Sequence, residues 1–215
     1  ETIEKARALV MAGRIRIDGK VASKAGHSVD TNSIIDISAV GDYVSRGGIK
    51  LAHALDYFGI NVDGQVALDV GASTGGFTDF MLSRGARRVF ALDAGYGQFH
   101  YTLRSDERVT VMERTNARYP FRIDSTVSVA TIDVSFISII KLIPSIGVHV
   151  EKGGCIIALV KPQFEARRSE VERGGVVKDP VIHAKVLGRT ISWLVNNGFR
   201  FRNLVPSAIT GIRGN

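Results

Sequence analysis

The sequence predicts an α/β fold: a mostly parallel, doubly wound sheet with helices on both faces, preceded by a small α+β module. Three observations carry this. From Val66 onward, short apolar runs alternate with helical patterns, the order that builds a parallel sheet. The first of these runs ends in a glycine-rich loop that opens a helix. Before Val66 the pattern changes to one helical stripe followed by short strands of alternating character.

Length and composition bound the answer. A chain of 215 residues accommodates one α/β domain plus a small extra module. Hydrophobic content of 45% with 23% charged residues is ordinary for a globular protein. No apolar run approaches the ~18 residues of a membrane span, and no signal-peptide pattern opens the chain. Cytoplasmic location without a membrane partner is therefore expected. Cys155 is the single cysteine, inside Cys155-Ile-Ile-Ala-Leu-Val, where it reads as a small buried hydrophobe. The five histidines share no ligand spacing and there is no cysteine pair, so no metal site is expected. A net charge of +7 favours polyanionic partners, although on its own it is a weak pointer. Glu1 already lies inside a helical pattern, so the natural N-terminus is expected upstream.

In order along the chain, Ile3, Ala6, Leu9 and Val10 form a helical stripe over 2–12, with Gly13 as its stop. Arg14-Ile-Arg-Ile17 alternates, and Asp18-Gly19 is a two-residue hairpin signal before Lys20-Val21. Ile34-Ile-Asp-Ile37 is a further strand, after a polar loop with Lys24 and His27. The plain reading is a small solvated sheet with basic residues outward. The sharper one is a patch of Arg7, Arg14, Arg16, Lys20 and Lys24 that meets RNA phosphates. Ser45-Arg-Gly-Gly-Ile-Lys-Leu then opens a helix whose buried face is Leu51, Leu55 and Phe58. Lys50 falls at that face's margin, where a lysine is usually a snorkelling surface residue. Strands are predicted at 66–70, 88–93, 109–112, 127–133 and 155–161, a helix at about 181–196, and a last strand near 199–205.

The run Val66-Ala-Leu-Asp-Val-Gly-Ala-Ser-Thr-Gly-Gly-Phe-Thr carries the chemistry. Gly71, Gly75 and Gly76 free the backbone for a close ligand, and the following helix points unpaired N–H groups back at the loop. About twenty residues on from this loop, Asp93 is placed to bind ribose hydroxyls. This describes a nucleoside-cofactor site. A dinucleotide fingerprint would place glycine at the third loop position, where Ser73 stands. Asp69 would repel a pyrophosphate but can face the cationic amino-acid end of S-adenosylmethionine. The remaining cofactor candidates are Thr74 and Asn116, the latter an adenine-side contact or an ordinary turn residue. In open sheets of this type ligands bind outside the carboxyl ends of the strands, and those ends carry Asp69, Asp93, Glu113, Asp133 and Lys161. Pro162 holds Lys161 extended. The charged run Arg167–Arg173 reads as a mobile, solvated loop.

Two resemblances follow. Glu4-Lys-Ala-Arg-Ala-Leu-Val-Met-Ala-Gly-Arg-Ile-Arg-Ile-Asp-Gly-Lys-Val resembles the second half of the S-four RNA-binding domain, which implies binding to structured RNA by shape. Asp69-Val-Gly-Ala-Ser-Thr-Gly-Gly-Phe-Thr, Ile132-Asp-Val-Ser-Phe-Ile-Ser and Leu159-Val-Lys-Pro-Gln-Phe-Glu resemble the TlyA family. Those are S-adenosylmethionine-dependent ribosomal RNA 2′-O-methyltransferases, also labelled hemolysin A-like, with an FtsJ-type catalytic domain. Ser45-Arg-Gly-Gly-Ile-Lys-Leu and Asp93-Ala-Gly-Tyr-Gly-Gln are further matches. The resemblance implies a Rossmann-like class I methyltransferase, with a partial RNA-binding module at 1–43, a linker and helix at 44–60, and a catalytic domain at 61–215. It implies ribosomal RNA or a ribosomal subunit as partner. It also implies a Lys-Asp-Lys-Glu tetrad whose first three members fall on Lys50, Asp133 and Lys161. The glutamate follows a Gly-Asn near the family's C-terminus. Here Gly214-Asn215 closes the chain, and the fourth member is expected beyond it.

The chemistry suits those residues. A ribose hydroxyl is a poor nucleophile near neutrality and needs a base within hydrogen-bond reach. A lysine serves where neighbouring positive charge or burial brings its pKa toward roughly 7–8. Lys161 is assigned as that base, Lys50 as the second positive charge and Asp133 as the group that orients Lys161. Two rival readings remain. One is a ribosome-associated RNA-binding protein that no longer catalyses, supported only by the absent glutamate. The other is a membrane-lytic protein, suggested by the hemolysin label and unsupported by any spanning segment.

Overall fold

The computed structural model describes residues 3, 6, 9, 10, 15–22, 24, 26, 28–37, 43–172 and 174–209. Ile3, Ala6, Leu9 and Val10, the apolar positions of the first stripe, are helical. β1 (Ile15–Ile17) pairs antiparallel with β2 (Lys20–Val21) and β3 (Ile35–Ile37), giving the order β2-β1-β3. The hairpin turns on Asp18 (φ 51°) and Gly19 (φ 77°), both left-handed, as an Asp-Gly turn between twisted strands requires. Ile34 N–H donates to the Asp18 carboxylate at 2.8 Å, tying the third strand to that turn.

The second unit is a five-stranded, wholly parallel sheet in the order β6-β5-β4-β7-β8. Its strands are β4 (Val66–Val70), β5 (Arg88–Leu92), β6 (Val109–Met112), β7 (Val127–Ile132) and β8 (Val150–Ala158). The order runs outward one way from β4 and then restarts on its other side. The switch point between β4 and β7 is where such sheets open a crevice. The helices are α1 (Gly47–Phe58), α2 (Gly76–Ser83), α3 (Tyr101–Arg104), α4 (Ile143–Gly147), α5 (Pro162–Glu165) and α6 (Pro180–Asn196).

Strand alternation sorts the core into two layers. Ala67, Val89, Ala91 and Val129 face Leu51 and Leu55 of α1 and Phe77, Phe80 and Met81 of α2. Val66, Leu68, Val70, Phe90, Leu92 and Ile132 face Ile139, Leu142, Ile143 and Ile146. Burial on both faces is why these strands read as continuous apolar runs.

Three expectations need correction. The fifth strand begins at Val150 rather than 155, because a register shift follows the Val127–Val150 pair and the ladder resumes at Val129–Cys155. Gly153 (φ 91°) carries the chain through this bulge, which interrupts the apolar run. Residues near 199–205 alternate in character but form no strand. A strand needs a partner for its backbone groups, and β8 is hydrogen-bonded on one side only among the described residues. The charged stretch 167–173 is anchored where it is described. A 3-10 turn at Arg168–Glu170 is held by Arg189 of α6, whose two guanidinium nitrogens reach Glu170 at 3.0 and 2.8 Å.

Candidate active site

The strand ends converge as the topology demands. Asp133, one residue past β7, has its N–H on Val70 O at 3.0 Å. Gly71, one residue past β4, has φ 85°, and a Cβ there would lie 2.5 Å from the Asp133 carbonyl oxygen. Both the dihedral and the space exclude a side chain, so Gly71 lets the loops after β4 and β7 meet at the switch point. Gly76 does the same for α1: a Cβ on it would collide with Ser45 Oγ and crowd the backbone of Gly47 and Gly48. With α1 seated this close, Lys50 in its first turn reaches the end of β7.

Lys50, Asp133 and Lys161 come together. Asp133 Oδ1 lies 2.6 Å from Lys161 Nζ, and Oδ2 accepts from Lys50 Nζ at 3.2 Å. The three side chains are 22%, 17% and 19% exposed for Lys50, Asp133 and Lys161, so the cluster is shielded but reachable. Lys50 is therefore turned inward onto a carboxylate rather than snorkelling. Lys161 has extended backbone (φ −111°, ψ 106°), as its position before Pro162 requires. Its Nζ also donates to Ser135 Oγ at 3.2 Å.

On the β4–β5 side, one Asp93 oxygen accepts from Ser73 N–H at 2.8 Å and the other from Gly95 N–H at 2.7 Å. Ser73 takes φ 50°, and Gly75 (φ 97°) caps α2. Asp93 remains half-exposed. A carboxylate accepts about four hydrogen bonds, so it keeps capacity for a pair of ribose hydroxyls. Thr74 is partly exposed and its carbonyl accepts from His100 N–H at 3.2 Å. Asn116 is exposed and its side-chain oxygen accepts from Arg118 N–H at 3.0 Å. That is the turn role, and it leaves the amide NH2 open to an adenine-side contact.

Asp69 departs from expectation. It lies inside β4, one residue before the end, and alternation turns it toward the α2 layer with Ala67. The carboxylate is wholly buried and accepts from Thr78 Oγ at 2.8 Å and Thr131 Oγ at 3.1 Å. Burial pushes its carboxyl up from 3.8 to about 6, against the two hydroxyl bonds that pull it down. Asp69 therefore braces β4 against α2 and β7, and does not face the crevice. In the N-terminal module, Arg16 is exposed, with Nη1 donating to Gly19 O at 3.0 Å, and Lys24 is exposed. Arg7, Arg14, the Lys20 side chain and the Gly214-Asn215 end lie outside the described residues.

Four residues beside the cluster escaped sequence reasoning, although they stand within the motifs of the resemblance. Ser135 meets Lys161. Phe136 is 91% exposed with φ 66°, a costly conformation for an aromatic residue, and its ring lies 5.2 Å from that of Phe164. Glu165 accepts hydrogen bonds from the segment after Asp133. Two clefts elsewhere, one lined by Leu55, Asp56, Phe80 and Arg84 and one by Gln65, Arg87, Arg88 and Glu151, contain none of the expected site residues.

Comparison with known proteins gives the family. The FtsJ-like methyltransferase family matches residues 43–215, and the S4 domain matches residues 1–35. The 16S/23S rRNA (cytidine-2′-O)-methyltransferase TlyA of Mycobacterium tuberculosis is 40% identical over 216 residues, spanning 99% of this chain and 81% of that protein. Hemolysin A of Brachyspira hyodysenteriae is 42% identical over 219 residues, spanning 100% of this chain and 91% of that one. A solved structure from Streptococcus thermophilus, provisionally named a hemolysin, superposes with a TM-score of 0.81 at 42% identity, covering 100% of this chain and 80% of its own.

Proposed function

The chain belongs to the FtsJ-like methyltransferase family, and we propose that it transfers a methyl group from S-adenosylmethionine to a ribose 2′-hydroxyl of ribosomal RNA. The observation that carries this reading is one carboxylate, Asp133, shared by Lys50 and Lys161 at the sheet's switch point. Two lysines and one aspartate carry a surplus of one positive charge. That surplus suits an anion developing on a substrate oxygen beside the lysines. Lys161, on the shorter contact and extended from the strand end, takes the proton from the hydroxyl. Lys50 steadies the developing alkoxide, and Asp133 fixes the direction of both.

The residues present fit the cofactor: Asp93 has spare acceptor capacity for ribose hydroxyls, and the Gly71–Gly76 loop gives backbone access beside Asp133. S-adenosylmethionine would supply an electrophilic methyl group when bound. The protein's part is to hold the hydroxyl in line with it and to exclude water, which supplies much of the remaining rate. An RNA substrate is supported by the S4 match, by the exposed Arg16 and Lys24, and by Phe136, whose ring offers a base a stacking surface next to the lysines. The names of the relatives support ribosomal RNA in particular. No helix of the described residues is long and apolar enough to cross a membrane, which gives the lytic reading no support.

The test is transfer of tritium from labelled S-adenosylmethionine to ribosomal subunits by the full-length protein. Incorporation that disappears in Lys161→Ala is expected. No incorporation by the intact protein would leave the RNA-binding reading in its place.

A further inference from the structure

Lys161 is the proton acceptor of the run Leu159–Glu165, and Glu165, which closes the run, does something the sheet cannot. The last ladder bond between the two catalytic strands is Leu159 N–H to Ile132 O, at 2.9 Å. Past it, the segments bearing Asp133 and Lys161 leave the sheet, and strand pairing no longer sets their separation. Glu165 bridges them at the far end. Its Oε1 accepts from Ile139 N–H at 2.8 Å, and its Oε2 accepts from Ser138 Oγ. Ile139 opens the 3-10 turn Ile139–Lys141 that runs into α4, and Ile139, Ile143 and Ile146 are buried in the core. The contact between the Phe136 and Phe164 rings lies within the same closed circuit.

We propose that Glu165 is a positioning residue. It latches the Lys161 segment to the core element that follows Asp133, and so fixes the separation of the proton acceptor and its orienting carboxylate. The proposal rests on the assignment of Lys161 as base. Neither Glu165 oxygen is aimed at a lysine: both are spent on the segment across the gap. The role therefore needs an acceptor at this place rather than a charge. A lysine amine rides on a flexible stem, and its position relative to Asp133 is only as well defined as the backbone at each root.

The test compares the full chain with Glu165→Ala and Glu165→Gln. The readouts are melting temperature, affinity for S-adenosylmethionine by calorimetry, single-turnover methyl transfer and backbone hydrogen exchange of segment 133–142. In Glu165→Ala, exchange in 133–142 should rise and the transfer rate should fall about 10- to 100-fold, as expected of an ångström-scale misplacement. Cofactor affinity should not change. Gln keeps one acceptor oxygen, and its amide can donate to the Ser138 hydroxyl, so Glu165→Gln should recover most of the rate. Should the alanine variant fail to fold, Ser138→Ala, which removes one of the two bonds, must show a smaller fall in rate at unchanged cofactor affinity. Wild-type turnover in Glu165→Ala, unchanged exchange, or a glutamine variant as slow as alanine would overturn the proposal. If the wild-type chain itself transfers no methyl group, the functional reading fails, and the exchange measurement alone decides whether the latch exists.

Discussion

Two acids stand at the ends of neighbouring central strands and do opposite work. Asp133 lies one residue beyond β7 and holds two lysines at the mouth of the crevice. Asp69 lies one residue inside the end of β4 and is sealed under α2 by Thr78 and Thr131. A shift of two positions relative to the strand end separates a group that holds two lysines from one that braces the fold. In a strand, successive side chains alternate between faces, and both faces here are covered. Only past the last paired residue is a side chain released from that alternation. Asp93, one residue beyond β5, follows the same rule as Asp133 and stays half-exposed.

The contrast can be broken most forcefully at Asp133. Asp133→Asn removes the charge that two lysines share, and methyl transfer should fall by about 10²–10⁴-fold. S-adenosylmethionine affinity, measured by calorimetry, should hold within a few-fold. The matching change, Asp69→Asn, should leave transfer nearly intact and act on stability. Asp69 is lifted from 3.8 to about 6 by burial, so the folded state keeps its proton over a range where the unfolded chain releases it. Stability from this group is full below about pH 4 and is lost as pH rises through 6, by about 3 kcal/mol, since each pKa unit corresponds to about 1.4 kcal/mol. Urea titrations at pH 4, 5, 6 and 7 should show that decline in the wild type and its absence in Asp69→Asn. Loss of transfer with unchanged stability in Asp69→Asn would end the distinction between the two acids.

A subtler change sharpens it. Thr78→Val keeps the shape beside Asp69 but removes the better of its two hydroxyl bonds. It should cost about 1–3 kcal/mol near neutrality, where the carboxylate is charged, and less at pH 4. The smallest effect is expected at the rim. Glu170 is held down to about 2, chiefly by the Arg189 guanidinium and then by the Arg167 N–H. Its contribution is present above the ordinary value of 4.5 and is lost as pH falls toward 2. The pair is partly exposed at the surface, so Arg189→Ala should lower the melting temperature only slightly, while limited proteolysis within 166–179 should quicken.

Most of the sheet was legible in the sequence, because a strand buried on both faces is a continuous apolar run whatever its neighbours. Lys50, Asp133 and Lys161 were legible as candidates through their place in family motifs and at strand ends. What remained hidden is pairwise. The bulge in β8 depends on which residue of β7 lies opposite. The missing strand near 199–205 depends on a partner for its backbone groups. Asp69 was misjudged although its strand was placed correctly at 66–70, because nothing local shows that Thr78 of α2 and Thr131 of β7 close over the last-but-one residue of the strand. Glu165 had no signal of its own: a glutamate next to Phe164 is unremarkable until Ile139 and Ser138 are seen across the gap.

The central claim is that the Lys50–Asp133–Lys161 cluster is aimed at a ribose hydroxyl. Mass-spectrometric mapping of ribosomal RNA incubated with S-adenosylmethionine and either wild-type protein or Lys161→Ala tests it most directly. The predicted result is a methylated ribose, resistant to alkaline cleavage at its 3′ side, that forms with the wild type and not with the variant. A methyl group found on a base, or a ribose mark that forms equally well with Lys161→Ala, would contradict it.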